Sequence, residues 1–307
     1  ETIISYIRQS WDLGEVDEIG DWWRQRKSFM GLIAEVAWEQ VQSGDVDWVA
    51  LSRSLLGLLE EKHLLIYLEH PDAASLLAEQ GWDGALRSGL ADFLMVLDSN
   101  VGYNKVNPRV QEAITYHVDL WQSSPQATLT LVYTHTGTTD VPCVQESRYG
   151  STYEDMMDRC YWYYLQVYVP QDSRLLDATR IPVPGEALSF SGGESGKVSV
   201  RTADEGPWLS LGVMGLLPSA VTQTRLFTWT LPADVVEWQA DEGWYSLRVQ
   251  KQPGTSGHPL TVRVRLPEES VLLDATPEPT AVEGEWVVYR TTLSRDREFR
   301  LHFGRQP

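Results

Sequence analysis

The chain has 307 residues, of which 42% are hydrophobic and 22% charged. Such a balance belongs to a soluble globular chain and excludes a disordered tail, a collagen or a coiled coil. Forty-three acids against twenty-five bases leave a net charge of −18, a field that repels polyanions and argues against nucleic-acid partners. Apolar runs such as Leu64 to Leu68 are far below the roughly 20 residues that a membrane-spanning helix needs. The length suggests two domains. The opening at Glu1, without an initiator Met or a signal peptide, reads as a processed product or a fragment with something missing upstream.

The first sixty residues read as helical. Asp21 caps a helix in which Ile19, Trp22, Phe29, Ile33, Ala37 and Val41 recur at helical spacings until Ser43 and Gly44 end it. A second helix, Asp47 to Glu61, carries Val49, Leu51, Leu55, Leu58 and Leu59. Both are amphipathic and call for a partner surface. His63 to Glu69 has strand length; Pro71 and Asp72 open a helix that stops at Gly81. Asp92 to Leu97 reads as a buried strand, and Ile114, Tyr116, Val118 and Leu120 alternate with polar residues as a second. Ala127 to Thr136 and Tyr161 to Val169 are two more.

After Pro170 the helical signal stops. Seven short runs follow, Lys197 to Thr202, Leu209 to Val213, Thr224 to Leu231, Tyr245 to Gln252, Leu260 to Leu266, Trp286 to Leu293 and Glu298 to Phe303, divided by Gly and Pro. That pattern is the signature of a sandwich. The expected class is α+β: a helix-backed mixed α/β module over residues 1–180, the C-terminal part of a larger domain, followed by an all-β immunoglobulin-like sandwich over residues 181–307. No internal repeat is evident.

Signatures of nucleophilic, phosphate-binding and zinc chemistry are absent, and the six His are scattered singly. No metal and no cofactor is expected. Arg24, Arg26 and Lys27 form one basic cluster in an acidic chain. They could grip a phosphate or pyrophosphate at a helix start, or pair with Asp17, Glu18 and Asp21 on a solvated face. All three Asn of the chain, Asn100, Asn104 and Asn107, lie in one stretch, Asp98 to Pro108. Depletion of Asn elsewhere is a thermophile habit. In one reading Asn100, Gly102 and Asn104 shape a tight reversal; in the other Asp98, Asn100 and Lys105 line a ligand crevice at a strand end. Most of the thirteen Trp read as packing residues. Cys143 and Cys160 flank a polar segment between two strand-like blocks. They are either ordinary reduced residues or a disulfide closing a loop, worth about 3 kcal/mol for such a ring. The second reading places the chain in an oxidising compartment outside the cytosol.

The runs HLLIYLEHPDAASLLAEQGWDGAL, DFLMVLDSNVGYNKVN, ATLTLVYTHTG, YYLQVYVPQDS and YSLRVQKQPGTSGHPLTVRVRLP resemble the bacterial family catalogued as domain of unknown function 4012. The blocks around Asn100 to Lys105 and Gln250 to Gly254 are its most specific parts. The resemblance implies an exported protein held by an upstream membrane anchor, with a non-enzymatic binding or scaffolding role in surface-glycan assembly. Its implied partners are the missing N-terminal half of the same protein and envelope polysaccharide or lipid-linked glycan. Separately, Asp21 to Val36 is similar to the Arg-x-x-Arg-Gln-Gln helix of the LytR-CpsA-Psr phosphotransferases. That similarity implies an alternative enzyme in which Arg24 and Arg26 contact a lipid pyrophosphate. Lys27 and Ser28 stand where that family has glutamines, and the strand carrying its other active-site residues would precede Glu1.

Overall fold

In the computed structural model, residues 29–44, 46–87, 90–146, 149–189, 192–203 and 206–305 are described. The class is α+β with a β-rich sandwich. Two helices open the described chain, α1 (Phe29–Ser43) and α2 (Trp48–Glu60), and α3 (Pro71–Gln80) follows. The Asp47 carboxylate accepts from the amides of Val49 and Ala50 and so caps α2. Gly81, at φ 73, ends α3. Pro71 and Gly81 thus act as the sequence predicts. The expected strand at His63 to Glu69 is instead irregular chain. Its one ladder-like backbone bond, from the Ile66 amide to the Trp82 carbonyl, makes no sheet. The expected packing of the helices is also absent. Met30, Leu32, Val36, Trp38, Trp48 and Val49 are all more than half exposed, and Leu59 is the buried apolar residue of these three helices.

Strand β1 (Asp92–Asn100) and β2 (Val110–Asp119) form an arch: β1 lies in one sheet, and the chain crosses at residues 101–109 to place β2 in the other. A second arch follows the same course, β10 (Glu242–Gln250) crossing at residues 251–257 to β11 (His258–Arg265). The arches lie side by side. β1 pairs parallel with β10, and β2 pairs parallel with β11, so both crossings sit at one end of the sandwich. Around this centre the remaining strands add mostly as antiparallel neighbours. In the first sheet β4 (Tyr161–Pro170), β7 (Trp208–Leu217) and β6 (Ser199–Thr202) follow β1. On the other side β15 (Arg297–Arg305) and β12 (Ser270–Thr276) follow β10, which β9 (Val236–Gln239) also joins. In the second sheet β3 (Gln126–His135), β8 (Thr222–Thr230) and β5 (Arg174–Ala178) follow β2, while β14 (Trp286–Leu293) and β13 (Ala281–Glu283) follow β11.

This topology corrects the division at residues 180/181. Strands from both sides of that point share each sheet, and one hydrophobic core runs from Leu94 through Phe227 to Phe303. The sequence suggests two units because sandwich-like runs become dense only after Pro170. The pairing partners of those runs are the earlier strands.

Alternation explains the core. Leu94 and Val96 of β1, Ile114, Tyr116 and Val118 of β2, Leu129 and Leu131 of β3, and Leu247 and Val249 of β10 all face inward. The same inward phase holds polar residues at both ends of the arches. At the end away from the crossings, Asp92 is fully buried and accepts hydrogen bonds from the hydroxyls of Tyr116 (2.9 Å) and Tyr245 (2.6 Å) and the amide of Phe93 (2.7 Å). Burial pushes its carboxyl up to about 6, against the lowering effect of these three bonds.

Candidate functional site

The crossing end is built by three sets of side chains. The first is the Asn triad. Asn100 Nδ2 donates to the side-chain oxygens of Asn104 (2.9 Å) and Asn107 (2.7 Å), and Asn100 Oδ1 accepts from the Gly102 amide. Asn104 Nδ2 donates to the Cys160 carbonyl. Gly102 is required by space, because a Cβ there would stand 2.9 Å from Asn104 Nδ2 and 3.1 Å from the Trp162 ring. The turn-shaping reading of these residues therefore holds for Asn100.

The second set is the Gln250 to Gly254 segment. Gln250, fully buried, accepts from the Arg87 amide (3.1 Å) and donates to the Ala85 carbonyl (2.9 Å). Gln252 does the same to both backbone groups of Asp98, at 2.9 and 2.8 Å. Each glutamine imitates a strand neighbour. Between them Lys251, 1% exposed, donates to the carbonyls of Gln252 and Thr255, and its amide reaches Asp296. Asp296 also pairs with buried Lys62 at 2.8 Å. Replacing Gln250 by Ala removes two hydrogen bonds to the backbone of Ala85 and Arg87 and is expected to cost about 2 kcal/mol, read as a lowered urea midpoint with unchanged m-value. An unchanged midpoint would show that water replaces both bonds.

The third set is the disulfide. Cys143 and Cys160 are bonded, with Cα atoms 5.5 Å apart. The enclosed segment carries a short helix α4 (Tyr153–Met157) whose N-terminus is closed by a capping box between Thr152 and Asp155. Tyr149 and Met156 from this segment pack with Trp162 in a satellite core.

Between the two crossings a cavity of about 320 Å³ opens, lined by Asp98, Glu112, Tyr161, Thr255, Ser256 and His258 among others. Asp98 continues the inward phase of Leu94 and Val96; Glu112 continues that of Ile114 and Tyr116. Burial raises both carboxyls. Glu112 is pushed up to about 8, first by burial and then by the neighbouring Asp98 charge. Asp98 is raised by burial against a hydrogen bond of 2.9 Å from the Tyr161 hydroxyl. Two such carboxyls close together hold a proton between them at neutral pH. Neither Glu112 Oε1 nor the hydroxyl of Tyr133 makes a hydrogen bond of ordinary geometry, although the Tyr133 hydroxyl lies near enough to Glu112 to lower its carboxyl against the effect of burial. His258 Nε2 stands 3.6 Å from Glu112 Oε2, and burial lowers its pKa.

Of the residues singled out from the sequence, Asp98 lines the cavity, Asn100 is consumed by the turn, and Lys105 holds α4 through a backbone bond to Met156. Arg24, Arg26 and Lys27 lie outside the described residues. Glu112, Tyr161 and His258 were not anticipated. An acid two residues before Ile114, in the same phase as the apolar positions, was the available signal for Glu112.

No family model matches the chain, and no curated protein matches it. Among solved structures, a protein of Legionella pneumophila named for nutrient binding shares 9% identity at a TM-score of 0.39, over 69% of this chain and 71% of that one. An M1 zinc metallopeptidase of Deinococcus radiodurans shares 10% identity at a TM-score of 0.30, over 64% of this chain and 42% of that one. Aminopeptidase A of L. pneumophila, in complex with aspartic acid, shares 9% at a TM-score of 0.26, over 71% of this chain and 22% of that one. No residue role is carried over from these proteins.

Proposed function

We propose that this chain is a non-enzymatic binding module of the bacterial cell envelope, acting outside the cytosol in surface-glycan assembly, with the cavity between the arches as its ligand site. The observation that carries the reading is Glu112, a buried acid with an oxygen that makes no ordinary hydrogen bond, in the lining of a cavity at the lower end of the range for small-molecule sites. The chain contrasts this site with Asp92, where the same carboxyl and tyrosine chemistry is sealed and every bond is made. One end is finished as structure, and the other is left open. The disulfide supports an oxidising compartment. No described helix is long and apolar enough to cross a membrane. The two carboxyls repel a pyrophosphate, which favours binding over phosphoryl transfer at this cavity.

An array of bacterial surface glycans tests the proposal. The purified chain is expected to retain at least one glycan class, and Glu112→Gln is expected to lose most of that signal while melting no lower than the wild type. Retention of nothing, or equal retention by the variant, would overturn it.

A further inference from the structure

The geometry points to an ammonium group as what the cavity binds: the ligand is a small organic cation seated between Asp98 and Glu112. This rests on the cavity being the binding site and adds the charge of the ligand. The groups around the site decide that charge. Asp98 faces it from β1, Glu112 from β2, Tyr161 from β4 and His258 from β11, with buried Tyr133 of β3 behind Glu112. Two acids meet here with no Lys or Arg ion pair to either among the described residues; Glu112 has only His258. Neither Lys251 nor Arg225, whose Nη1 and Nη2 have no hydrogen-bond partner, is ion-paired with either acid. Lys251 is held by the carbonyls of Gln252 and Thr255, and buried Arg225 donates from Nε to the Tyr163 hydroxyl at 2.7 Å.

Buried acids are ordinarily matched by a protein cation. Here the counter-charge is lacking and there is space for one. A metal ion is a poor candidate, since no group of three His, Cys, Asp or Glu among the described residues is placed to hold one. An ammonium suits the donors and acceptors present. It offers three hydrogens, against the carboxyls of Glu112 and Asp98 and the hydroxyl oxygen of Tyr161, which line the cavity, while Thr255 and Ser256 suit hydroxyls. Binding the charged amine ionises the pair, so the proton it held leaves for solvent.

Titration calorimetry of the whole chain at pH 7 with three probes tests this. Glucosamine carries the ammonium on a sugar, N-acetylglucosamine is the same sugar without the charge, and putrescine is the charge without the sugar. Glucosamine is expected to bind at least about tenfold more tightly than N-acetylglucosamine. Its affinity is expected to fall about tenfold from pH 7 to 5.5 as the proton competes, with proton release seen as a dependence of the heat on the buffer. Glu112→Gln and Asp98→Asn, each checked by circular dichroism, are expected to abolish the pH dependence. Putrescine binding would assign amines in general, and its failure beside glucosamine would assign amino sugars; both support the inference. Equal binding of N-acetylglucosamine would overturn the cation and leave the cavity as a site. Binding of none of the three overturns the cation, and the glycan array then decides separately whether the cavity binds at all.

Discussion

Exchanging Cys143 and Cys160 together for Ser is expected to lower the stability of the chain by about 3 kcal/mol, as for a ring of this size. The two cysteines are 17 positions apart, so the bond shortens the loop available to the unfolded chain. The effect should also be local. The Cys160 carbonyl accepts from Asn104, Lys105 is tied to Met156, and Trp162 packs on Tyr149 and Met156. Loss of the staple therefore loosens the wall of the arch turn as well as the loop. Urea denaturation of wild type with and without a reductant, beside the double variant, gives the measurement. Wild type in reductant should approach the variant, and the variant should ignore the reductant. A wild-type midpoint indifferent to reduction would mean that packing around Trp162 holds the segment unaided.

Stability is expected to rise as the pH falls from about 8 to about 5, the reverse of a chain held by surface carboxylates. Asp92 has a folded pKa of about 6 against its ordinary 3.8, and Glu112 about 8 against 4.5. In each case the folded state holds the proton more tightly than the unfolded chain. Stability is therefore eroded as pH rises through the window between the two values, and is intact below the lower one. For Asp92 the penalty is complete above its folded pKa and amounts to about 3 kcal/mol, at roughly 1.4 kcal/mol per unit. The net charge of −18 adds self-repulsion in the same direction, so variants are needed to separate the contributions. Asp92→Asn should flatten the profile between pH 4 and 6, where Tyr116 and Tyr245 keep a neutral partner. Glu112→Gln should remove the slope that Glu112 contributes from its ordinary 4.5 to about 8, flattening the profile above pH 6 and leaving below it the part due to Asp92. Variants that follow the wild-type profile in parallel would place the pH dependence elsewhere.

The candidate site was half legible. Asp98 can be found because it ends a buried run beside the cluster of Asn, and the cysteines because they flank a polar loop between strands. The Asn triad was visible, yet its role was ambiguous; the hydrogen bonds among Asn100, Asn104 and Asn107 show that it builds the turn. Gln250 and Gln252 carry no chemistry that a motif would flag. Their function as imitation strand neighbours depends on partners 163 and 154 positions away.

Local physics was enough for the strands. Period-two alternation and Gly or Pro punctuation placed β2, β3, β4, β8, β10, β11, β14 and β15 closely, because each strand buries one face whatever sheet it joins. The same logic decided the start of α3 at Pro71 and its end at Gly81, and the chemistry available to a lone cysteine pair. What the tertiary structure alone decided was which strands meet. Parallel pairing of β1 with β10 and of β2 with β11 joins segments about 150 positions apart, and no local pattern encodes that distance. That pairing merges two apparent units into one core. It also sets Asp98 and Glu112, each an ordinary acid at the end of its own strand, against one another in a shared space, where burial and mutual repulsion change what both can bind.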